Sequence, residues 1–122
     1  MACSLLVVDD DVSFRRMAVR IVESWGHRVV GEAGSVGEAM LRASEVRPDT
    51  AIVDIGLPDG DGFDLTRRLL ALDWPIRVLV MSSDSDIANV EVAANAGASG
   101  FFPKLELLGP GFRQAIEERD SG

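Results

Sequence analysis

The sequence predicts an α/β domain in which a five-stranded parallel sheet is covered on both faces by five helices. Three observations carry that prediction. Five short apolar runs, residues 5–8, 29–30, 50–53, 77–81 and 100–102, recur at intervals of about twenty residues. Between them, apolar residues repeat at helical rather than strand spacing. Strand and helix alternate from one end to the other, and such alternation means parallel strands joined by right-handed crossovers.

In chain order, Leu5, Leu6, Val7 and Val8 form a continuous apolar strand that stops at Asp9, Asp10 and Asp11. Phe14, Met17, Ala18, Ile21, Val22 and Trp25 then lie on one stripe of a helix, with Arg15, Arg16, Arg20 and Glu23 on the other side and Gly26 as its C-terminal stop. His27 falls in the loop before Val29 and is expected to be solvated, since it has no second histidine to work with. Ser35 and Glu38 have the spacing of a capping box, and a helix to about Val46 follows. Pro48 and Asp49 turn the chain into the strand 50–53, which ends on Asp54 and a loop rich in Gly and Asp. A helix over 63–71 buries Leu65 and Leu69. The fourth strand ends on Ser82, Ser83 and Asp84, and a helix carrying Ile87, Val90 and Ala94 on one face stops at Gly97. The fifth strand runs into Pro103 and Lys104, and Pro110 opens a last helix to about Arg119.

Bulk properties narrow the function. A chain of 122 residues reads as one domain, 1–122, large enough to fold without a disulfide or structural metal. Its single cysteine, Cys3, is expected in the core. A net charge of −8 opposes a nucleic-acid surface, so no direct nucleic-acid binding is expected. With no signal peptide and no apolar run near the roughly 20 residues that span a bilayer, the expected location is the cytoplasm, away from membranes.

All strands of a parallel sheet end on one edge. Asp9 and Asp10, Asp54, Ser82 and Lys104 therefore meet there from four places in the sequence. Three carboxylates so close raise one another's pKa values, and a hard divalent cation relieves them: Mg2+ takes oxygen ligands and keeps several waters. Asp54 is then available as a nucleophile toward phosphorus, with Lys104 neutralising the transferring oxygens and the Ser82 hydroxyl donating to one of them.

The motifs 7–11 (VVDDD), 54–62 (DIGLPDGDG), 80–83 (VMSS) and 97–104 (GASGFFPK) together resemble, over the whole chain, the receiver domain of two-component response regulators. The resemblance implies a flavodoxin-like doubly wound sheet of order 2-1-3-4-5. It implies phosphoacceptor Asp54, and a metal held by Asp10, Asp54 and the Gly56 main-chain carbonyl, with Asp9 acting through water. Mg2+ is the metal implied, with Mn2+ as a substitute. Ser82 and Phe101 match the switch pair, which changes the surface formed by the fourth helix, fifth strand and fifth helix. The implied partners are a sensor histidine kinase or phosphotransfer protein upstream, and a protein target or effector domain downstream, with a homodimer through the same surface as a further outcome. On this reading the chain is a signalling phosphoacceptor that catalyses only its own phosphorylation and dephosphorylation.

Pro103 precedes Lys104, whereas family members often place proline after the lysine. That order and the run Phe14-Arg15-Arg16 are similar to the receivers attached to LuxR-type DNA-binding domains, the LuxR/NarL-type subgroup. Gly56, Ser83 and Asp84 are expected to tune the phosphoryl lifetime, the two small residues leaving the site open to water. Leu105, Leu107 and Leu108 read either as packing under the last helix or as a partner contact. The alternative function is a haloacid dehalogenase-like Mg2+-dependent phosphatase, but that chemistry wants a second aspartate where Gly56 stands.

Overall fold

The computed structural model describes residues 2–83 and 88–118. Asp84 and Ile87, the end of the last helix at Arg119, and the tail after it lie outside the described residues.

Five strands form the main sheet: β1 (Ser4–Val8), β2 (Arg28–Ala33), β3 (Thr50–Asp54), β4 (Arg77–Ser82) and β5 (Gly100–Pro103). All neighbours are parallel, in the order β2-β1-β3-β4-β5. This is the expected flavodoxin-like arrangement. Gly56–Leu57 and Gly60–Asp61 add a small antiparallel ribbon after β3, hidden in the sequence because Gly, Pro and Asp read there only as turn residues.

The helices are α1 (Val12–Ser24), α2 (Val36–Val46), α3 (Gly62–Leu70), α4 (Ala88–Asn95) and α5 (Pro110–Glu117), with a 3-10 turn at Lys104–Glu106. Alternate residues of each central strand feed opposite faces. Leu6, Val8, Ala51, Val53, Val78 and Val80 pack with α2 and α3, while Leu5, Val7, Ile52, Leu79 and Met81 pack with α1 and α5. The three middle strands are thus covered twice, which is why they read as unbroken apolar runs. Edge strand β2 is only half-buried over most of its length and contains Gly31 and Glu32, so its sequence advertised only Val29 and Val30.

Turn chemistry follows the sequence closely. Gly26 and Gly97 take positive φ of 93° and 95° just past α1 and α4, where a side chain would be strained. Gly109 and Pro110 stand at the N-cap and first position of α5. Ser35 caps α2 by accepting from the Glu38 amide at 3.1 Å, but Glu38 reaches back to Gly34 N at 2.7 Å rather than to Ser35.

Three expectations need correction. His27 is not solvated: it is buried, its Nδ1 accepts from Cys3 N at 3.0 Å, and its Nε2 lies 3.5 Å from Glu117 Oε2. The turn after α1 tucks under the start of β1 beside α5, a packing that local sequence does not report. Met17 falls at the margin of its stripe and is exposed. In α4 the residue facing inward is Ala93, followed just past the helix by buried Ala96, whereas Val90 and Ala94 are exposed and line a cleft of about 150 Å³ beside Phe101. Small alanines let α4 approach β5 closely, so the larger residue is displaced to the rim. Cys3 is in the core as expected.

Candidate functional site

Strand ends assemble the site. Asp9 follows β1 directly, Asp54 closes β3, Ser82 closes β4, and Lys104 is the first residue after β5. Carboxylate oxygens of Asp9, Asp10 and Asp54 lie within 4.8 Å of one another, with Asp9 and Asp54 buried and Asp10 exposed. Lys104 Nζ stands 2.6 Å from Asp9 Oδ2 and 3.4 Å from Asp54 Oδ1. Its ammonium also lies 4.5 Å from the centre of the Phe14 ring, a cation–π contact that steadies the long side chain.

One ammonium does not balance three carboxylates. Burial, then the neighbouring Asp9 charge, push the Asp54 carboxyl up to about 6, with Asp10 adding to the rise and Lys104 opposing it. For Lys104, burial alone would lower the pKa. Its contacts with Asp9 and Asp54 outweigh that and hold the ammonium above its ordinary value. The pocket is poised toward negative charge and favours a further cation.

Local chain geometry explains why these groups point together. Asp11, the third acid of the run, serves as N-cap of α1, accepting from Ser13 N at 3.0 Å and Phe14 N at 3.2 Å. Asp9 Oδ1 accepts from Asp11 N at 2.9 Å, which turns its other oxygen toward Lys104. Arg15 donates from Nη1 to the Asp9 carbonyl at 2.7 Å and from Nε to Glu32 at 3.0 Å, pinning the same turn from behind. After Asp54, Ile55 N donates to Met81 O at 3.1 Å and Gly62 N to Ile55 O at 3.0 Å, closing the loop at its base. Only glycine fits at 62, since a Cβ there would lie 2.5 Å from the Asp54 carbonyl oxygen.

The remaining expected residues take their places. Ser82 is buried one step past Met81, the partner of Asp54 in the sheet. Gly56 is exposed, and a Cβ there would stand 3.7 Å from Asp54 Oδ2, so the glycine leaves that oxygen uncovered. Ser83 is exposed as well, and Asp84 lies outside the described residues. Phe101 is half-buried against the α2–α3 side of the sheet, while Phe102 points to the other face, edge-on to Phe112 at 5.5 Å. Pro103 ends β5 with φ −61° and ψ 144°, delivering Lys104 into the 3-10 turn, and the described residues contain no cis peptide bond. Asp59, at the ribbon tip, has main-chain partners more than twenty residues away, and Arg15 joins the Asp9 carbonyl to the Glu32 carboxylate across β1 and β2, so neither role shows in local spacing.

The donor set suits a hard cation. The cluster offers carboxylate oxygens from three residues, the two buried ones sharing a single ammonium, and no histidine or cysteine belongs to it among the described residues. Mg2+ fits these residues.

A family model, the response regulator receiver domain, matches residues 5–107. The DNA-binding transcriptional activator DevR/DosR of Mycobacterium tuberculosis is 40% identical over 120 residues, covering 97% of this chain and 54% of that protein. The chemotaxis protein CheY of Thermotoga maritima is 33% identical over 104 residues, covering 85% of this chain and 87% of that protein. Among solved structures, a LuxR-family two-component response regulator from Aurantimonas superposes with a TM-score of 0.80 at 28% identity, with 100% of both chains covered. The chain thus spans about half the length of DevR/DosR and most of CheY.

Proposed function

The chain belongs to the response regulator receiver domain family, and from that membership we propose that residues 1–122 act as one phosphoacceptor domain with Asp54 as the residue phosphorylated. The observation carrying this reading is the meeting of Asp9, Asp10, Asp54 and Lys104 at one sheet edge, with an Asp54 carboxyl raised to about 6 and still ionised at neutral pH. The relatives are response regulators, which leaves the haloacid dehalogenase-like phosphatase without support.

In the proposed transfer, an Asp54 oxygen attacks the phosphorus of a phosphohistidine. The new O–P bond forms as the P–N bond breaks, and the imidazole nitrogen keeps the bonding pair. Lys104, already 3.4 Å from Asp54 Oδ1, moves its ammonium onto the phosphoryl oxygens. Ser82 donates a hydroxyl hydrogen bond to one of them, and Phe101 turns inward as Ser82 shifts. Asp10, Asp54 and the Gly56 carbonyl would hold Mg2+ (or Mn2+), with Asp9 acting through water. Bound there, the cation neutralises charge on the transferring oxygens. Exposed Gly56 and Ser83 give water a path to the acyl phosphate, so hydrolysis resets the domain; catalysis is confined to these two reactions on its own side chain.

We assign the phosphoryl source to a sensor histidine kinase or phosphotransfer protein. The output runs through the face of α4, β5 and α5 to a protein target or an effector domain, or through self-association of that face. DevR/DosR is by name a DNA-binding activator, but the charge of −8 here disfavours direct nucleic-acid contact by this chain. Among the described residues no helix is long and apolar enough to cross a membrane, and we place the domain in the cytoplasm. Incubation with acetyl phosphate and Mg2+ tests the central claim. Intact mass should rise by one phosphoryl group in the wild type and not in Asp54→Ala, without turnover of organic phosphate esters; labelling that survives Asp54→Ala would sink it.

A further inference from the structure

The loop after Asp54 is fastened at its tip as well as its base. Pro58 and Asp59 form the turn between the two strands of the ribbon. Asp59 Oδ1 accepts from Val36 N at 2.7 Å, and its Oδ2 accepts from Gly37 N at 3.0 Å. These are the first two amides of α2, the third being taken by Ser35 Oγ. A helix start has free amides and a positive dipole end, so an ionised carboxylate seated across two of them is well matched. Those bonds, from Gly37 and then Val36, hold the Asp59 carboxyl below the usual carboxylate range although it is fully exposed. Gly60 completes the seat: a Cβ there would come 3.1 Å from Val36 Cγ2, so the ribbon lies flat against α2.

The same short segment touches the other half of the acidic pocket. Gly34 sits so close to the turn after β1 that a Cβ would lie 3.4 Å from Arg15 Nη1 and 3.9 Å from both Asp10 Cα and the Asp9 carbonyl. Gly34 on one side and the Val36 and Gly37 amides on the other therefore form a brace between the Asp9–Asp10 turn and the loop carrying Gly56, while the Ser35 hydroxyl bonds the Glu38 amide within α2. The two metal-binding halves come from different strands, and residues far apart in sequence must be kept at a fixed separation for one cation to see both. Outer groups that orient ligands commonly matter almost as much as the ligands.

We propose that Asp59 is a positioning residue for the metal site, its carboxylate holding the Gly56 loop in register with the Asp9–Asp10 turn through the first turn of α2. This rests on the reading of the pocket as a Mg2+-dependent phosphoacceptor site. The competing role is a plain helix cap that stabilises α2 and nothing else. Ser35 provides the comparison, because it caps the same helix and does not belong to the loop.

The test is direct Mg2+ binding by calorimetry, without phosphodonor, on wild type, Asp59→Ala, Asp59→Asn and Ser35→Ala, with thermal stability measured on each. Asp59→Ala should weaken Mg2+ binding by about tenfold, and Asp59→Asn, which keeps one acceptor oxygen, should recover part of it. Ser35→Ala should lose stability but bind Mg2+ close to wild type. Amide exchange at Val36 and Gly37 should quicken in Asp59→Ala, confirming that the clamp is what was removed. Equal Mg2+ affinity in Asp59→Ala and wild type, or equal weakening in Asp59→Ala and Ser35→Ala, overturns the positioning role. Should the wild type neither bind Mg2+ nor take a phosphoryl group on Asp54, the functional reading fails first and the positioning role with it.

Discussion

Asp54 is kept in a condition that costs the resting fold stability. Its carboxyl is raised to about 6 by burial and by Asp9, so the folded protein holds that proton more tightly than the unfolded chain does. Between the ordinary value near 3.8 and about 6 the unfolded state binds fewer protons, and stability from this group falls as pH rises through that window. Asp54→Asn removes the charge without removing the shape. It is expected to stabilise the metal-free domain at pH 7.5 by on the order of 1–2 kcal/mol, an advantage that shrinks toward pH 4. Urea melts of both proteins across that range measure it, and a constant difference would refute the electrostatic cause. On the proposed reading that tension suits Asp54 to its task, since a nucleophile fully satisfied by its neighbours has little reason to bond phosphorus.

Single elements sort the three leucines after β5. Leu107 is 2% exposed and packs with Phe112 and Ile116, whereas Leu105 and Leu108 are 97% and 77% exposed. The packing reading therefore holds for one residue of the three. Leu107→Ala should cost about 2–5 kcal/mol, while Leu105→Ser and Leu108→Ser should each stay within about 0.5 kcal/mol of wild type. Chemical denaturation separates the two classes. The 3-10 turn at Lys104–Glu106 decides which leucine turns inward, and nothing in the local spacing announced it. Elsewhere the legible elements were those under one dominant force. Strands β1, β3 and β4 are buried on both faces and spell it in continuous apolar runs. Asp9, Asp10, Asp54, Ser82 and Lys104 were legible because parallel topology forces strand ends to one edge. Arg15, Asp59 and His27 were not: each binds main-chain atoms, which look alike at every position, and the carboxylates beside Arg15 and His27 lie on other elements.

At the scale of the whole molecule, a divalent cation that binds the folded pocket and not the unfolded chain must stabilise the fold. Melting temperature should climb with the logarithm of Mg2+ concentration, each tenfold step above the dissociation constant adding about 1.4 kcal/mol. Asp10→Asn should move the onset of that climb to higher Mg2+ concentration, while leaving the metal-free melting temperature unchanged or slightly raised, because Asp10 is exposed and its charge adds to the crowding on Asp54. A thermal-shift series in Mg2+ checks both statements, and a climb that begins at the same Mg2+ concentration in Asp10→Asn as in wild type would remove Asp10 from the ligand set. The buried histidine adds a way to watch the domain from its far end. His27 is the sole imidazole in the chain, fixed between Cys3 and Glu117 at the opposite end of β1 from Asp9, roughly 16 Å of strand away. In D2O, once amides have exchanged, its Cε1 proton resonates downfield of the Phe and Trp ring protons, so a proton spectrum without isotope labelling records whether an event at the acidic edge travels down the strand to the end of α5.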